Sequence, residues 1–280
     1  MAGRPADKPA RPTEAPSSGS ARYIFPQHPS EVDRLDLQHY ALHEALGENY
    51  LAPVGTPQSV LDVGCGTGQW AYDLCMEYPD ALVVGIDLVP SKPDRPPNFR
   101  FVRGNVLQGL PFVPDRFDFV HQRLLVGGVP ANSWPPLVHD LVRVTRPGGW
   151  IELVEVGFEV NPAGPATTRM VEMMQRLGRS LGLDTTGIVI RSLDEYLHRA
   201  GVTDIQQRSL TIPIGEWGGR IGSFLASDFR AAATRACSVF EVRFGLSAEE
   251  SRDLLNAMPQ EWEVHKSALS FAYAFGRKAG

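Results

Sequence analysis

The stretch that most constrains this chain is Val60-Leu61-Asp62-Val63-Gly64-Cys65-Gly66-Thr67-Gly68-Gln69-Trp70. Val60, Leu61 and Val63 read as a buried strand that breaks at Gly64, Gly66 and Gly68. Trp70, Leu74 and Tyr78 then recur at helical spacing. Strand, tight turn and helix form the first half of a βαβ unit, and in an open α/β sheet the ligand lies beyond the carboxyl end of such a strand. Glycines let the backbone take positive φ and leave room for a ligand against it. A dinucleotide turn reads G-x-G-x-x-G, but Gln69 stands where its third glycine would be. The pyrophosphate of a dinucleotide needs the closest backbone approach, so this variant favours a nucleoside without one. The next strand, Ala81 to Ile86, ends in Asp87. A carboxylate about 20 residues past the glycine turn is placed to hydrogen-bond a ribose diol.

These features resemble the class I S-adenosylmethionine-dependent methyltransferases. LDVGCGTG is similar to their first motif and Gly85-Ile86-Asp87 to their second. Gly104-Asn105-Val106 falls where the family places an adenine-contacting loop, Phe117 to Val120 resembles the fourth strand, and Arg146-Pro147-Gly148-Gly149-Trp150 resembles the turn opening the fifth. The resemblance covers about residues 55–157. It implies a Rossmann-like, doubly wound α/β fold with a seven-stranded sheet and a closing antiparallel hairpin. It also implies S-adenosylmethionine as cofactor, with S-adenosylhomocysteine as product. The strand end at His121, the run from Pro147 to Glu155 and Ile212 to Trp217 also resemble methyltransferase-like enzymes of microbial secondary metabolism, including fungal LaeA-like regulators.

The 280 residues, 43% hydrophobic and 21% charged, have an ordinary globular composition. A formal net charge of -5 argues against general nucleic-acid binding, which needs a basic face to displace counterions. Cys65, Cys75 and Cys237 are an odd count without metal-ligand spacing, the pattern of reduced cytosolic thiols. No apolar stretch approaches a membrane span, and the N-terminus lacks a signal-peptide core. A cytoplasmic, metal-free protein acting on a small molecule, without nucleic-acid or membrane partners, is the expectation. A homodimer is compatible with it, though no sequence feature fixes the oligomeric state.

Residues 1–21 are rich in Pro, Ala, Ser and Arg and read as a disordered tail. Residues 22–157 hold an N-terminal helix and the cofactor-binding core. The helix begins at Ser30, and Val32, Leu35, Leu42 and Leu46 mark its buried face. By analogy with the family, Tyr23 and Phe25 line the pocket; by the plainer reading they anchor the helix. Met170, Met173, Met174 and Leu177 share helical spacing, Asp204 to Ile214 alternates, residues 217–262 are helical, and Leu269-Phe271-Tyr273-Phe275 alternates strictly. Residues 158–190 and 215–262 are therefore assigned to a mostly helical lid, and 191–214 with 263–280 to the rest of the core sheet.

The resemblance implies in-line methyl transfer, in which the enzyme's main task is alignment. It assigns the cofactor cradle to Asp62, Gly64, Cys65, Gly66 and Gly68, to Asp87 and Leu88, to Gly104, Asn105 and Val106, and to Gln122. Asp62 would sit near the ammonium of the methionine end. An acceptor that must lose a proton needs a base within reach; His121, Glu155 and Tyr23 are the candidates, unranked. Arg123, Glu155, Phe158, Trp217 and Phe229, with Tyr23 and Phe25, are the candidate substrate contacts. For His121, Arg123 and Glu155 the competing reading is a structural hydrogen bond or ion pair. Glu152 and Glu155, three apart on one strand, face opposite ways and cannot form a paired carboxylate site. Three functions compete: a small-molecule methyltransferase, with an indole, phenol or amine as acceptor; a cofactor-binding regulator acting through a protein partner; and, opposed by Gln69, a nicotinamide oxidoreductase.

Overall fold

The computed structural model describes residues 29–89 and 94–280. The expected tail, and Tyr23 and Phe25 with it, lie outside the described residues. Helix α1 (Pro29–Leu46) comes first, one residue before the expected start at Ser30. Then follow β1 (Ser59–Val63), α2 (Gln69–Glu77), β2 (Leu82–Asp87), β3 (Phe99–Arg103), β4 (Phe117–Arg123), α3 (Trp134–Val144) and β5 (Thr145–Asn161). The chain continues through α4 (Pro165–Ser180), α5 (Ile188–Arg191), α6 (Leu193–Arg199), β6 (Val202–Pro213), α7 (Gly219–Phe244), α8 (Ala248–His265) and β7 (Ala268–Lys278).

The seven strands lie in the order β3-β2-β1-β4-β5-β7-β6. The first five are mutually parallel, and β7 runs antiparallel to both β5 and β6. This is the Rossmann-like sheet with the closing hairpin. The strand order reverses between β1 and β4, so the ligand crevice of an open α/β sheet falls at their carboxyl ends.

Each face of the sheet has its own apolar layer. Val60, Val83, Phe99 and Phe119 pack beneath Trp70, Ala71 and Leu74 of α2. On the other face Leu61, Val84, Val120, Ile151 and Leu153 pack against Leu137, Val138 and Leu141 of α3 and Leu193 and Leu197 of α6. β5 begins at Thr145, directly after α3 stops at Val144, so residues 146–150, expected as the turn opening the fifth strand, lie inside it. Thr145 already pairs with Phe117, and Arg146 to Gly149 bulge outward before Trp150 resumes the register opposite Phe119. Its far end runs past β4, pairing Val160 and Asn161 with Leu269 and Ala268 of β7. That overhang carries a third apolar cluster, where Met170, Met173 and Leu177 of α4 meet Leu225, Phe240, Met258 and Trp262 of α7 and α8. α7 and α8 are inserted within the β6–β7 hairpin, and Ala41 and Leu42 of α1 join the same cluster. Among the described residues no helix is long and apolar enough to cross a membrane, and no His, Cys, Asp and Glu group is arranged to hold a metal ion.

Candidate active site at the carboxyl ends of the parallel strands

The glycine turn leaves β1 with Gly64, Gly66 and Gly68 at φ +75, +52 and +86°. Side chains other than glycine rarely adopt such angles. Asp87, at the end of β2, reaches back to it: Oδ2 accepts from the Gly66 amide at 2.9 Å and Oδ1 from the Val89 amide at 3.2 Å. Burial raises its pKa, against the lowering effect of these amides. Leu88 follows, half-buried. After β3, Gly104 packs so tightly that a Cβ there would lie 2.7 Å from Ile86 Cδ1. Asn105 Oδ1 accepts from the Leu107 amide at 3.0 Å and caps the 3-10 turn Val106–Gln108. The loops that follow β1, β2 and β3 thus sit side by side along the crevice.

α1 closes over this turn. A Cβ on Gly66 would lie 3.3 Å from Leu35 Cδ1, and Thr67 Oγ1 donates to Asp36 Oδ1 at 2.9 Å. One helical turn on, His39 Nε2 meets Asp73 Oδ2 of α2 at 2.8 Å and its Nδ1 meets Arg123 Nη2 at 3.2 Å. Neither Asp36, His39 nor Asp73 carries a motif, and sequence reasoning missed all three. The only signal for them was their place on helices flanking the glycine turn.

Several residues assigned to the site from sequence have buried side chains engaged by the protein itself. The Glu155 carboxylate is fully buried and accepts from Gln122 Nε2 and from the Leu125 and Val126 amides. It clamps the loop after β4. Gln122 is 0% exposed and its amide is turned into the same clamp, so its side chain does not reach the crevice. Burial pushes the Glu155 pKa up to about 8, outweighing the Gln122 side chain and the main-chain amides that donate to it. His121 is also buried, stacked on Trp70 with ring centroids 3.8 Å apart, its Nδ1 3.4 Å from Asp62 Oδ1. Burial lowers its pKa. Asp62 shares that buried environment beneath the turn. Cys65 contributes backbone to the turn, but its thiol is buried, lying 2.8 Å from where a Cβ on Gly85 would be. Trp217 Nε1 donates to the Ile214 and Ser267 carbonyls, with Lys266 over its ring, so it ties the start of α7 to the end of α8. Phe229 of α7 packs edge-on to Trp262 of α8, whereas Phe158 packs with the α3–α6 layer. The structure therefore does not bring Phe158, Trp217 and Phe229 into one pocket.

Comparison with known proteins decides the family. Residues 60–149 match a methyltransferase domain model. The chain is 34% identical over 210 residues to the secondary metabolism regulator LAE1 of Cochliobolus heterostrophus, covering 70% of this chain and 67% of that one. This chain belongs to the S-adenosylmethionine-dependent methyltransferase family. It is also 33% identical over 207 residues to the methyltransferase pytC of Aspergillus terreus, of whose length it spans 62%. With the protein-methionine methyltransferase laeA of Emericella nidulans it shares 32% identity over 204 residues, 70% of this chain and 54% of that one. The fold of this chain also aligns with YcgJ from Bacillus subtilis at a TM-score of 0.51 and 19% identity, over 87% of this chain and 99% of that one. A phosphoethanolamine N-methyltransferase 2 from Haemonchus contortus aligns at 0.51 and 18% identity, over 91% and 62%.

Proposed function

We propose that this methyltransferase binds S-adenosylmethionine across the carboxyl ends of β1 to β3 and methylates a small-molecule acceptor of secondary metabolism. The observation that carries the reading is the half-buried Asp87 carboxylate held against the glycine turn by the Gly66 amide. A carboxylate so placed fits a ribose diol, and the positive-φ glycines leave backbone rather than side chains beside it. Gly104, Asn105 and Val106 flank the adenine in this reading, and Asp62 lies on the side of the methionine ammonium. Bound there, S-adenosylmethionine supplies an electrophilic methyl on a sulfonium.

The chain's own contribution is mainly alignment. Holding nucleophile and methyl at near-attack distance supplies on the order of 7–11 kcal/mol of a barrier. His121 lies under Trp70 and Glu155 is occupied by main-chain amides. A base is thus not drawn from this pair, and the reading favours acceptors that are already nucleophilic. Tyr23 lies outside the described residues.

A second reading has a specific support. One relative is named a secondary metabolism regulator and another a protein-methionine methyltransferase. A protein acceptor, or regulation through a protein partner, is therefore the alternative.

Calorimetric titration with S-adenosylhomocysteine tests the cofactor site. The expected result is binding that Asp87→Ala weakens by about 1.5–3 kcal/mol, the scale of hydrogen bonds to a charged group. Failure of the unmodified protein to bind would sink the proposal. Transfer of a labelled methyl group into an organic extract, as opposed to a protein fraction, then separates the two acceptor classes.

A further inference from the structure

We infer that Arg123 anchors the carboxylate of the methyl donor's amino-acid end, and that His39 and Asp73 are positioning residues that aim it. The inference rests on the cofactor reading above and names a contact within that site. Arg123 is the last residue of β4. Its neighbour Gln122 pairs with Val63, so Arg123 lies one step beyond the end of β1, level with the start of the glycine turn. α1 ties it to the same place: Asp36 holds Thr67 of the turn, and His39, three residues on, holds the Arg123 guanidinium. Three residues along a helix advance about 4.5 Å.

The hydrogen-bond chemistry fixes the direction of this chain. A guanidinium has five N–H donors and no acceptor. His39 Nδ1 therefore accepts from Arg123 Nη2, and the ring proton sits on Nε2, which donates to Asp73 Oδ2. Asp73 Oδ1 is held in turn by Gln69 Nε2 at 2.9 Å. Burial favours the neutral ring that this arrangement needs. The guanidinium is thus gripped from behind through one N–H. Its other four make no hydrogen bond among the described residues.

The charge pattern matches the ligand. An amino-acid end carries an ammonium and a carboxylate on one carbon. Beside the glycine turn, where Asp87 and Asp36 already hold the Gly66 amide and Thr67, the protein places Asp62 and Arg123 close enough to interact electrostatically. A planar fork of donors is suited to a carboxylate. Assigning Arg123 to the donor removes it from the set of acceptor contacts.

The test is calorimetry with two ligands, S-adenosylhomocysteine and its decarboxylated analogue, against the full chain and Arg123→Gln. The unmodified protein should bind the decarboxylated analogue about 10- to 100-fold more weakly, the range expected for a hydrogen-bonded charge pair. Arg123→Gln should bind both ligands nearly alike. His39→Phe should narrow the preference, and His39→Asn, which restores an acceptor near the Nδ1 position, should recover part of it. If the unmodified protein binds both ligands equally, the inference is overturned without reference to any variant's folding. If Arg123→Gln keeps the full preference, it is overturned as well. If the unmodified protein binds neither ligand, the cofactor reading itself fails, an outcome distinct from the other two.

Discussion

Glu152 and Glu155 each hold a loop in place, on opposite faces of β5. Glu152 Oε2 accepts from the Leu51 and Ala52 amides at 2.7 and 2.8 Å, and Glu155 takes the Leu125 and Val126 amides. Burial pushes their pKa values up to about 7 and about 8. In the unfolded chain a glutamate titrates near ~4.3. Between these limits the folded state holds more protons than the unfolded state. The stability that the two groups contribute is therefore complete below pH ~4.3 and lost as pH rises through 7 and 8, with a slope of up to about 1.4 kcal/mol per pH unit per group. The melting temperature should fall from pH 5 to pH 8, and Glu155→Gln should flatten that fall; an unchanged slope in the variant would show that Glu155 is ionised throughout. Gly64 makes a second residue-level prediction. A Cβ there would lie 2.4 Å from Leu125 Cδ2, in a backbone at φ +75°. Gly64→Ala should cost roughly 2 kcal/mol or more by chemical denaturation, from the left-handed backbone and the overlap together. The clamp role of Glu155 was not legible in the sequence, because its partners are main-chain amides, which leave no mark on residue identity. A glutamate at the end of an apolar strand looks the same whether its carboxylate meets a ligand or a loop.

The elements themselves were largely legible, for a physical reason. Strand β1, the turn and α2 follow from apolar runs and glycines whose periodicity is dictated by burial. The strictly alternating residues 269–275 became β7, which is covered on both sides by apolar layers. What α1 does was not legible. It carries an ordinary mixture of charges, and their meaning depends on α7, almost 200 residues away. There, Arg34 Nη1 and Asp228 Oδ1 form a buried ion pair at 2.5 Å, and Gln38 Nε2 donates to Asp228 Oδ2 at 3.2 Å. Removing one member of a buried pair leaves an uncompensated charge and costs about 3–5 kcal/mol. Arg34→Ala should therefore destabilise the protein by about that amount and raise hydrogen exchange in α1. Asp228→Asn, which keeps the size and an acceptor, should be milder. Equal, negligible losses for both variants would mean that the pair contributes no net stability.

At the scale of the whole molecule, α1 touches both the glycine turn and α7. Leu35 and Asp36 face the turn, His39 faces α2 and β4, and Arg34 and Gln38 face α7. α7 in turn lies inside the β6–β7 hairpin, packed with α4 and α8 over the overhang of β5. A ligand that stiffens the glycine turn therefore has a contiguous route to α7 through α1, and the buried Arg34–Asp228 pair is its last link. Spatial continuity alone does not establish coupling; a shared equilibrium does. Hydrogen exchange with and without S-adenosylhomocysteine measures it. Ligand should slow exchange at residues 64–68 and 29–46 and, through the ion pair, at 219–244. In Arg34→Ala the ligand should still slow the turn, but the protection of α7 should disappear. If α7 is protected equally in both proteins, the ligand reaches α7 by a route other than the α1 ion pair. If it is protected in neither, the turn and α7 move independently.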